Sequence, residues 1–478
     1  MRPSRLPWCW VLGWLAASVA WADAPERRST QDDQREVSVT VYNDDLALVK
    51  DRRRVTLGAG ANTLAFRDVS ARIRPETALL RSLGQPGLLS VWEQNFDFDL
   101  LTPQKLLEKY VGQRVSVLRT HPTTGQESAE PATVLAANSG VVLQMGSRIE
   151  TGVPGRLAFD HVPANLRDRP TLVMQLENRG DPEQDLELSY LTAGLSWRAD
   201  YVLNLDAAER ALDLAGWVTL TNASGASYRQ ARLQLVAGDV NRVAPERDRI
   251  APMAPQAVAM ARAPMAQEAL LEYHLYTLAR PTTLAENQTK QVALLSAAAV
   301  PMRKQLLLRG APYYYQGSVG VLGQALKVGV FLEFDNRSAF GLGQPLPKGV
   351  MRVYKKDSAG HAQFVGEDRI DHTPADATVR LKLGDAFDVT ADKRQTDYKK
   401  LPTPSRHNAA AESAYEIVVK NAKDEAVTVT VQEPIPGDWQ MLSESHPHSK
   451  PASNLAQWQL TIPARASQTL SYRVSVQY

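Results

Sequence analysis

One cysteine stands in the whole sequence, Cys9, and it lies close to the start. A chain with no other thiol has no disulfide staple, no thiolate nucleophile and no cysteine ligand for a metal, so cores and hydrogen bonds must hold it together. An excess of one charge sign is missing too. Lysine plus arginine number 54 and aspartate plus glutamate 52, a balance that calls for neither nucleic acid nor an acidic membrane as partner. No glycine-rich phosphate loop opens a helix, and neither a nucleophile elbow nor His-Glu-x-x-His occurs. These absences argue against nucleotide enzymes, serine hydrolases of the common type and zincins. An active site built from dispersed residues stays open. Past residue 22 no apolar run reaches the roughly 20 residues of a membrane-spanning helix, so no integral membrane segment is expected there.

The first residues have the form of an export signal. Arg2 and Arg5 supply a positive start, Trp8 to Val19 an apolar stretch, and Ala20-Trp21-Ala22 a small-x-small cleavage site. Residues 1–22 are therefore expected to be a signal peptide cleaved after Ala22, with an uncleaved anchor as the alternative. Cys9 lies too early in the segment for a lipid-modified terminus. Removing Arg2 and Arg5 lowers the basic count from 54 to 52, equal to the 52 acidic residues. A periplasmic or extracellular place in a bacterial envelope follows as the expected location, with outer-membrane association as a variant of it.

What remains is dominated by alternation. "VSVTVYNDDLALVKDRRRVTL" sets Val37, Val39 and Val41 against polar neighbours, and runs of this kind broken by Gly, Asn and Asp are antiparallel strands. In "YLTAGLSWRADYVLNLD" one face carries Leu195, Trp197, Ala199, Tyr201, Leu203 and Leu205, and the other Ser196, Arg198, Asp200, Asn204 and Asp206. This stretch is expected to be the second strand of a meander through residues 185–237. Strands ending in x-Asn-x recur at Asn178, Asn222, Asn336 and Asn421. Asparagine tolerates left-handed backbone and can bond its own turn, so the recurrence is read as a repeated hairpin.

The expected fold class is all-β, with several antiparallel β-sandwich (immunoglobulin-like) domains and an inserted small β-barrel or meander. Residues 23–103 plus 160–243 form the first sandwich, 104–159 the inserted module, 244–269 a flexible Ala/Pro/Met linker, 270–410 a second β domain and 411–478 the C-terminal sandwich strands. An echo between "AFRDVSARIRPETALL" and "AFDHVPANLRDRPTLV" would place the module between equivalent corners of one domain.

Chemistry is harder to find. "NFDFDLL" puts Asn95, Asp97 and Asp99 on one face, a carboxylate or calcium reading weighed against a solvated polar face, since alternate strand residues sit about 6.6 Å apart. Among eight scattered histidines His446 and His448 form the best metal-like pair, but without a third ligand of suitable spacing they read as a surface loop. The linker methionines could take a metal or an apolar partner, or simply lie in a loop. Sequons at Asn222, Asn287 and Asn336 are equally explained by turns. The binding candidates are Trp197, Arg198, Asp200 and Tyr201, with no catalytic residue and no cofactor assigned.

The segments "LELSYLTAGLSWRADYVLNLD", "GWVTLTNASGASYRQARLQLVAGDVN", "PLPKGVMRVYKKD", "LKLGDAFDVTADKR" and "VQEPIPGDWQML", with the opening "VSVTVYNDDLALVKDRRRVTLGAGANTLAFRDVSARIRPETA", resemble the bacterial exported family named for a mucoidy inhibitor, with its C-terminal domain of unknown function. Many relatives carry a coiled-coil segment where this chain has residues 104–159, which contain no heptads. The family name implies a link to envelope polysaccharide. The expected function is a non-enzymatic binding or structural protein of the envelope, its partner an envelope protein or polysaccharide. The alternatives are a carbohydrate-active hydrolase using Asp97, Asp99 or Asp200, or an outer-membrane-associated assembly factor.

Overall fold

The computed structural model describes residues 26–97, 99–138, 140–153, 155–163, 166–238, 265–402 and 409–477. The expected signal peptide and linker residues 244–264 lie outside these. The fold is all-β, in several sheets of which none closes into a barrel among the described residues. Two compact units divide it: the first takes residues up to Val37 and Val49–Thr192, the second Ser38–Leu48 and Ala193 onward.

The chain begins with β1 (Arg27–Ser29), β2 (Gln34–Tyr42), β3 (Leu46–Thr56), β4 (Gly60–Arg67), β5 (Leu79–Ser82) and β6 (Leu89–Asp97), all of the first unit except most of β2 and the first residues of β3, which belong to the second. A short helix, α1 (Pro103–Lys109), follows, with Pro103 in its first turn and the Thr102 hydroxyl accepting the Lys105 N–H. Then come β7 (Arg114–Thr120), β8 (Glu127–Ala136), β9 (Val142–Met145), β10 (Arg148–Thr151) and β11 (Arg156–Ala158), in the open order β10-β9-β8-β7-β11. The inserted module is therefore a meander and not a barrel. Its own core joins Tyr110, Val117, Val134 and Leu143. β12 (Thr171–Asn178) and β13 (Glu183–Thr192) complete the unit. Its sheets run β1-β4-β12-β6 and β3-β13-β5. Arg53 of β3 spans the two layers: it donates to the carbonyls of Ser29 and Arg67, and its guanidinium lies 3.8 Å over the Phe66 ring. Phe159, the counterpart of Phe66 in the sequence echo, packs instead against Tyr110 of the module. The turn that follows does recur at the matched positions, the Ile73 N–H donating to the Ser70 carbonyl and the Leu166 N–H to the Pro163 carbonyl.

The second unit contains β14 (Leu195–Leu205), β15 (Ala211–Asn222), β16 (Tyr228–Ala237), β17 (Ala266–Leu270), β18 (Tyr273–Thr277), β19 (Thr282–Leu284), β20 (Gln288–Arg309), β21 (Val321–Asp335), β22 (Gly349–Lys356) and β23 (Ala362–Ile370). It ends with β24 (Thr378–Lys400), β25 (Ala410–Asn421), β26 (Val427–Pro434), β27 (Asp438–Glu444), β28 (Ser449–Ala452), β29 (Leu455–Ile462) and β30 (Ser467–Gln477). One layer, β17-β18-β16-β2, is tied to the next, β23-β22-β14-β15-β20, where the Trp197 indole N–H donates to the Val236 carbonyl. The 22-residue β20 then continues past Pro301 to pair with β21 and β26. There β21-β24-β25-β30-β27 forms one layer of a second core, and β20, β26 and β29 the other. Because β20 crosses from one core to the next and β25 pairs along β24, the expected boundary at 410/411 has no counterpart. The expected linker also ends early: Met265 is buried and β17 begins at Ala266.

The meander expected over 185–237 is corrected as well. β14 pairs with β15 and, in parallel, with β22, whereas β13 and β16 belong to a different sheet. The same correction covers all four x-Asn-x turns: the strands on either side of each asparagine do not pair with one another, so these are arches and not hairpins. None of the four has a positive φ. Each side-chain amide donates to a carbonyl of its own arch and to one of a neighbouring arch. Asn421 reaches Glu425 at 2.8 Å and Pro463 at 3.0 Å, and Asn222 reaches Ala226 at 2.9 Å and Ala285 at 3.0 Å. Asn336 bonds Gln344 and Pro374, and Asn178 bonds Asp181 and Gly58. Arches lack the ladder that satisfies a hairpin's peptides, and a buried amide supplies the missing donors.

Candidate functional site

The four binding candidates on β14 divide sharply. Trp197 and Tyr201 are core residues, the second with its hydroxyl donating to the Pro347 carbonyl, so neither presents a face to a ligand. Burial pushes the Tyr201 hydroxyl well above the usual tyrosine range. On the opposite face Asp200 is only 7% exposed. It accepts from Arg352 of β22 at 3.0 Å, Thr219 of β15 at 2.8 Å and Arg198 at 3.3 Å. Gln291 of β20 donates to Thr219, and Arg352 also pairs with Glu367 of β23. The polar side of the strand is a cross-strand ladder running over five strands. Asp200 is fully engaged, and Arg198, on the middle strand, is half exposed.

The remaining candidates separate from one another. Asp97 accepts from Arg167 at 2.9 Å, whereas Asp99 lies beyond β6 and pairs with Lys109 at 2.8 Å, whose hydrogen bond holds its carboxyl below the usual range. The two carboxylates serve different cations and do not form a pair. His448 Nδ1 lies 3.0 Å from both oxygens of Glu444, while the His446 ring meets Ser445 and Gln468. The two imidazoles are committed to different partners, and no cluster of three metal-binding side chains exists among the described residues. Of the sequons, Asn222 and Asn336 are buried staples, and only Asn287 is exposed, at a φ of 54°. Met253 and Met260 lie outside the described residues.

A cleft of about 300 Å³ opens where the second unit passes from one core to the next. Leu205, Met302, Leu306, Val330 and Leu332 line its apolar part. Glu209, at the β14–β15 turn, sits at one side and takes hydrogen bonds from Lys304 and Lys355. Burial acts to raise its carboxyl, and the two lysines more than offset this, so its pKa falls below the usual value. The other side is made by a bulge in β24. Asp385 pairs with Gly329 and Thr390 with Lys327, so Ala386–Val389 stand against the single residue Val328. Ala386 and Val389 turn into the core and force Phe387 outward, where it is 91% exposed beside the cleft.

Sequence reasoning missed a second feature, deep in the last core. Lys393 of β24 and Glu433 of β26 are 2% and 1% exposed and come from facing layers, with Nζ 2.6 Å from Oε2. The Tyr315 hydroxyl donates to the same oxygen at 2.9 Å and meets the Tyr472 hydroxyl at 2.8 Å. The ammonium lies 4.2 Å from the Tyr314 ring centre and 5.2 Å from that of Tyr415. Burial lowers the lysine pKa against the opposing pull of Glu433, raises the Tyr315 and Tyr472 hydroxyls well above their usual range, and pushes Tyr314 up to about 12. The signal was legible in phase. Val389, Ala391, Lys393 and Gln395 share one strand face, as do Val427, Val429, Val431 and Glu433, so each charge stands on an apolar side.

A search of curated proteins finds no match to the chain. The family description that does match, over residues 186–478, is the domain of unknown function DUF4139. It begins within β13, takes in β14 with its polar ladder, the cleft and the buried pair, and covers more than half of the sequence. The chain belongs to the DUF4139 family.

Proposed function

We propose that the chain is an exported protein of the bacterial cell envelope that binds a protein partner through the cleft of its second unit. The observation that carries the reading is Phe387. A phenylalanine held 91% exposed by a bulge, beside an apolar cleft of about 300 Å³, is a surface arranged for an apolar side chain of a partner. The Lys304–Glu209–Lys355 clamp supplies a charged rim of the kind that orients a partner. Support for export comes from Arg2, Arg5, the apolar stretch to Val19 and Ala20-Trp21-Ala22. The segments that resemble the mucoidy-inhibitor family support reading the chain as one of that branch of the DUF4139 proteins, and on this reading its activity is recognition and not turnover.

Phe387→Ser tests it. The substitution is expected to leave the thermal midpoint unchanged, within about 0.5 kcal/mol, and to abolish retention of an envelope protein that the intact chain captures from envelope extracts. Equal capture by both proteins overturns the role of the cleft. Release of all captured material by glycosidase, with none by protease, would point to polysaccharide instead.

A further inference from the structure

The buried pair of the last core has too few partners for two full charges. The Lys393 ammonium has three N–H groups, and around it stand one carboxylate oxygen and the faces of tyrosine rings. On Glu433, Oε2 receives both Lys393 and Tyr315, whereas Oε1 is buried without a hydrogen-bond partner. Burying a carboxylate and an ammonium is costly unless their remaining donors and acceptors are satisfied. The surroundings hold the two groups together. Gly310 lies against the carboxylate so closely that a Cβ there would fall 2.2 Å from Oε2. Tyr315, Tyr415, Tyr472 and Trp458 pack as a continuous aromatic array, with ring centres 5.1, 5.1 and 4.9 Å apart.

We propose that Lys393 and Glu433 are the site of an intramolecular isopeptide bond that joins the two layers of this core. The reaction needs no oxidant and no cofactor. A proton passes from the ammonium to the carboxylate, which gives a neutral amine and a carboxylic acid across the 2.6 Å contact. The Nζ lone pair attacks Cδ and the C–N bond forms. The Cδ–Oε2 bond breaks, and Oε2 leaves as water with the carboxyl proton and one amine proton. Desolvation makes a lysine amine nucleophilic. Tyr315, donating to Oε2 with Tyr472 behind it, stands where the departing oxygen needs a hydrogen bond. The product carries one N–H in place of three and no charge, which matches the few partners present. In a chain whose sole cysteine is Cys9, the bond would fasten β24 to β26 as a disulfide otherwise could.

The test is the intact mass of the folded, purified full chain, followed by tandem mass spectrometry of its proteolytic fragments. The expected result is a mass lower than the sequence mass by one water, with the fragment containing Lys393 joined to the fragment containing Glu433. A folded chain at its full sequence mass overturns the proposal, as does a loss of water that maps to any other residues. Lys393→Arg keeps a cation but cannot form the bond, so it is expected at full mass. If it too loses a water, the assignment is wrong. Should that variant fail to fold, the fragment map of the unaltered chain decides alone.

Discussion

Arg53 and Lys393 are both cations at the centre of a two-layered core, and the two units surround them in opposite ways. Arg53 makes two bonds to Asp51, one each to the carbonyls of Ser29 and Arg67, and stacks on Phe66. Its planar fork places several donors in fixed directions, so one side chain satisfies groups from three strands. Lys393 has a compact ammonium on a flexible stem and finds one oxygen and several rings. The difference teaches what each charge does. Arg53 completes a hydrogen-bond network, while Lys393 creates an unbalanced one whose relief is chemical.

The largest effect is expected from breaking the balanced case. Arg53→Met leaves Asp51 as a buried carboxylate and strips two carbonyls, a loss of about 3–5 kcal/mol that urea denaturation of the first unit would read. In the second unit the contrast sharpens with a pair of substitutions. Glu433→Leu alone strands the lysine, whereas Lys393→Met with Glu433→Leu removes both charges. The double variant is expected to be more stable than the single one by about 1–4 kcal/mol, and equal midpoints would contradict the account of an under-satisfied pair.

A smaller loss is expected at the arches. Asn421→Ala orphans the carbonyls of Glu425, Ile462 and Pro463, at a cost of about 1–3 kcal/mol, visible in thermal unfolding. Replacement by glycine is expected to be no better, since no left-handed φ is involved. The smallest effect concerns a carboxylate at the rim of the first unit. Hydrogen bonds from Arg54 and Arg52 hold the Asp185 pKa down, from 3.8 to about 2. A depressed carboxyl stabilises the folded state above its unfolded pKa, and that contribution fades as pH falls through the folded one. Asp185→Asn is therefore expected to lose stability at neutral pH and to flatten the acid dependence between roughly pH 4 and 2. An unchanged acid profile would remove Asp185 from the account.

The legible parts of this chain were those with a period. Alternation in "LSWRADYVLNL" correctly placed Trp197 and Tyr201 on the inner face and Arg198 on the outer one. It could not show that Asp200 would be buried on that outer face, because Arg352, which covers it, comes from a parallel strand some 150 residues away. At the asparagines the sequence holds half of the reason: their side chains do bond their own turns, but arches and hairpins share the same alternation, and only strand pairing separates them. Phe387 had no sequence signal at all, since its exposure depends on how many residues of β24 must pass a single residue of β21. The charged residues Lys393 and Glu433 were visible on apolar faces, yet nothing local says that they face each other.

By itself the sequence determined the β character of the chain, its near-even charge balance and its lack of any second thiol, because each of these is a matter of composition or of near-neighbour period. Tertiary structure alone decided which strands cross between layers, where the cleft opens, and that Lys393 meets Glu433 across 40 residues of chain. The physical reason is that strand pairing and layer packing are long-range choices, whereas alternation records only which side of a strand is dry.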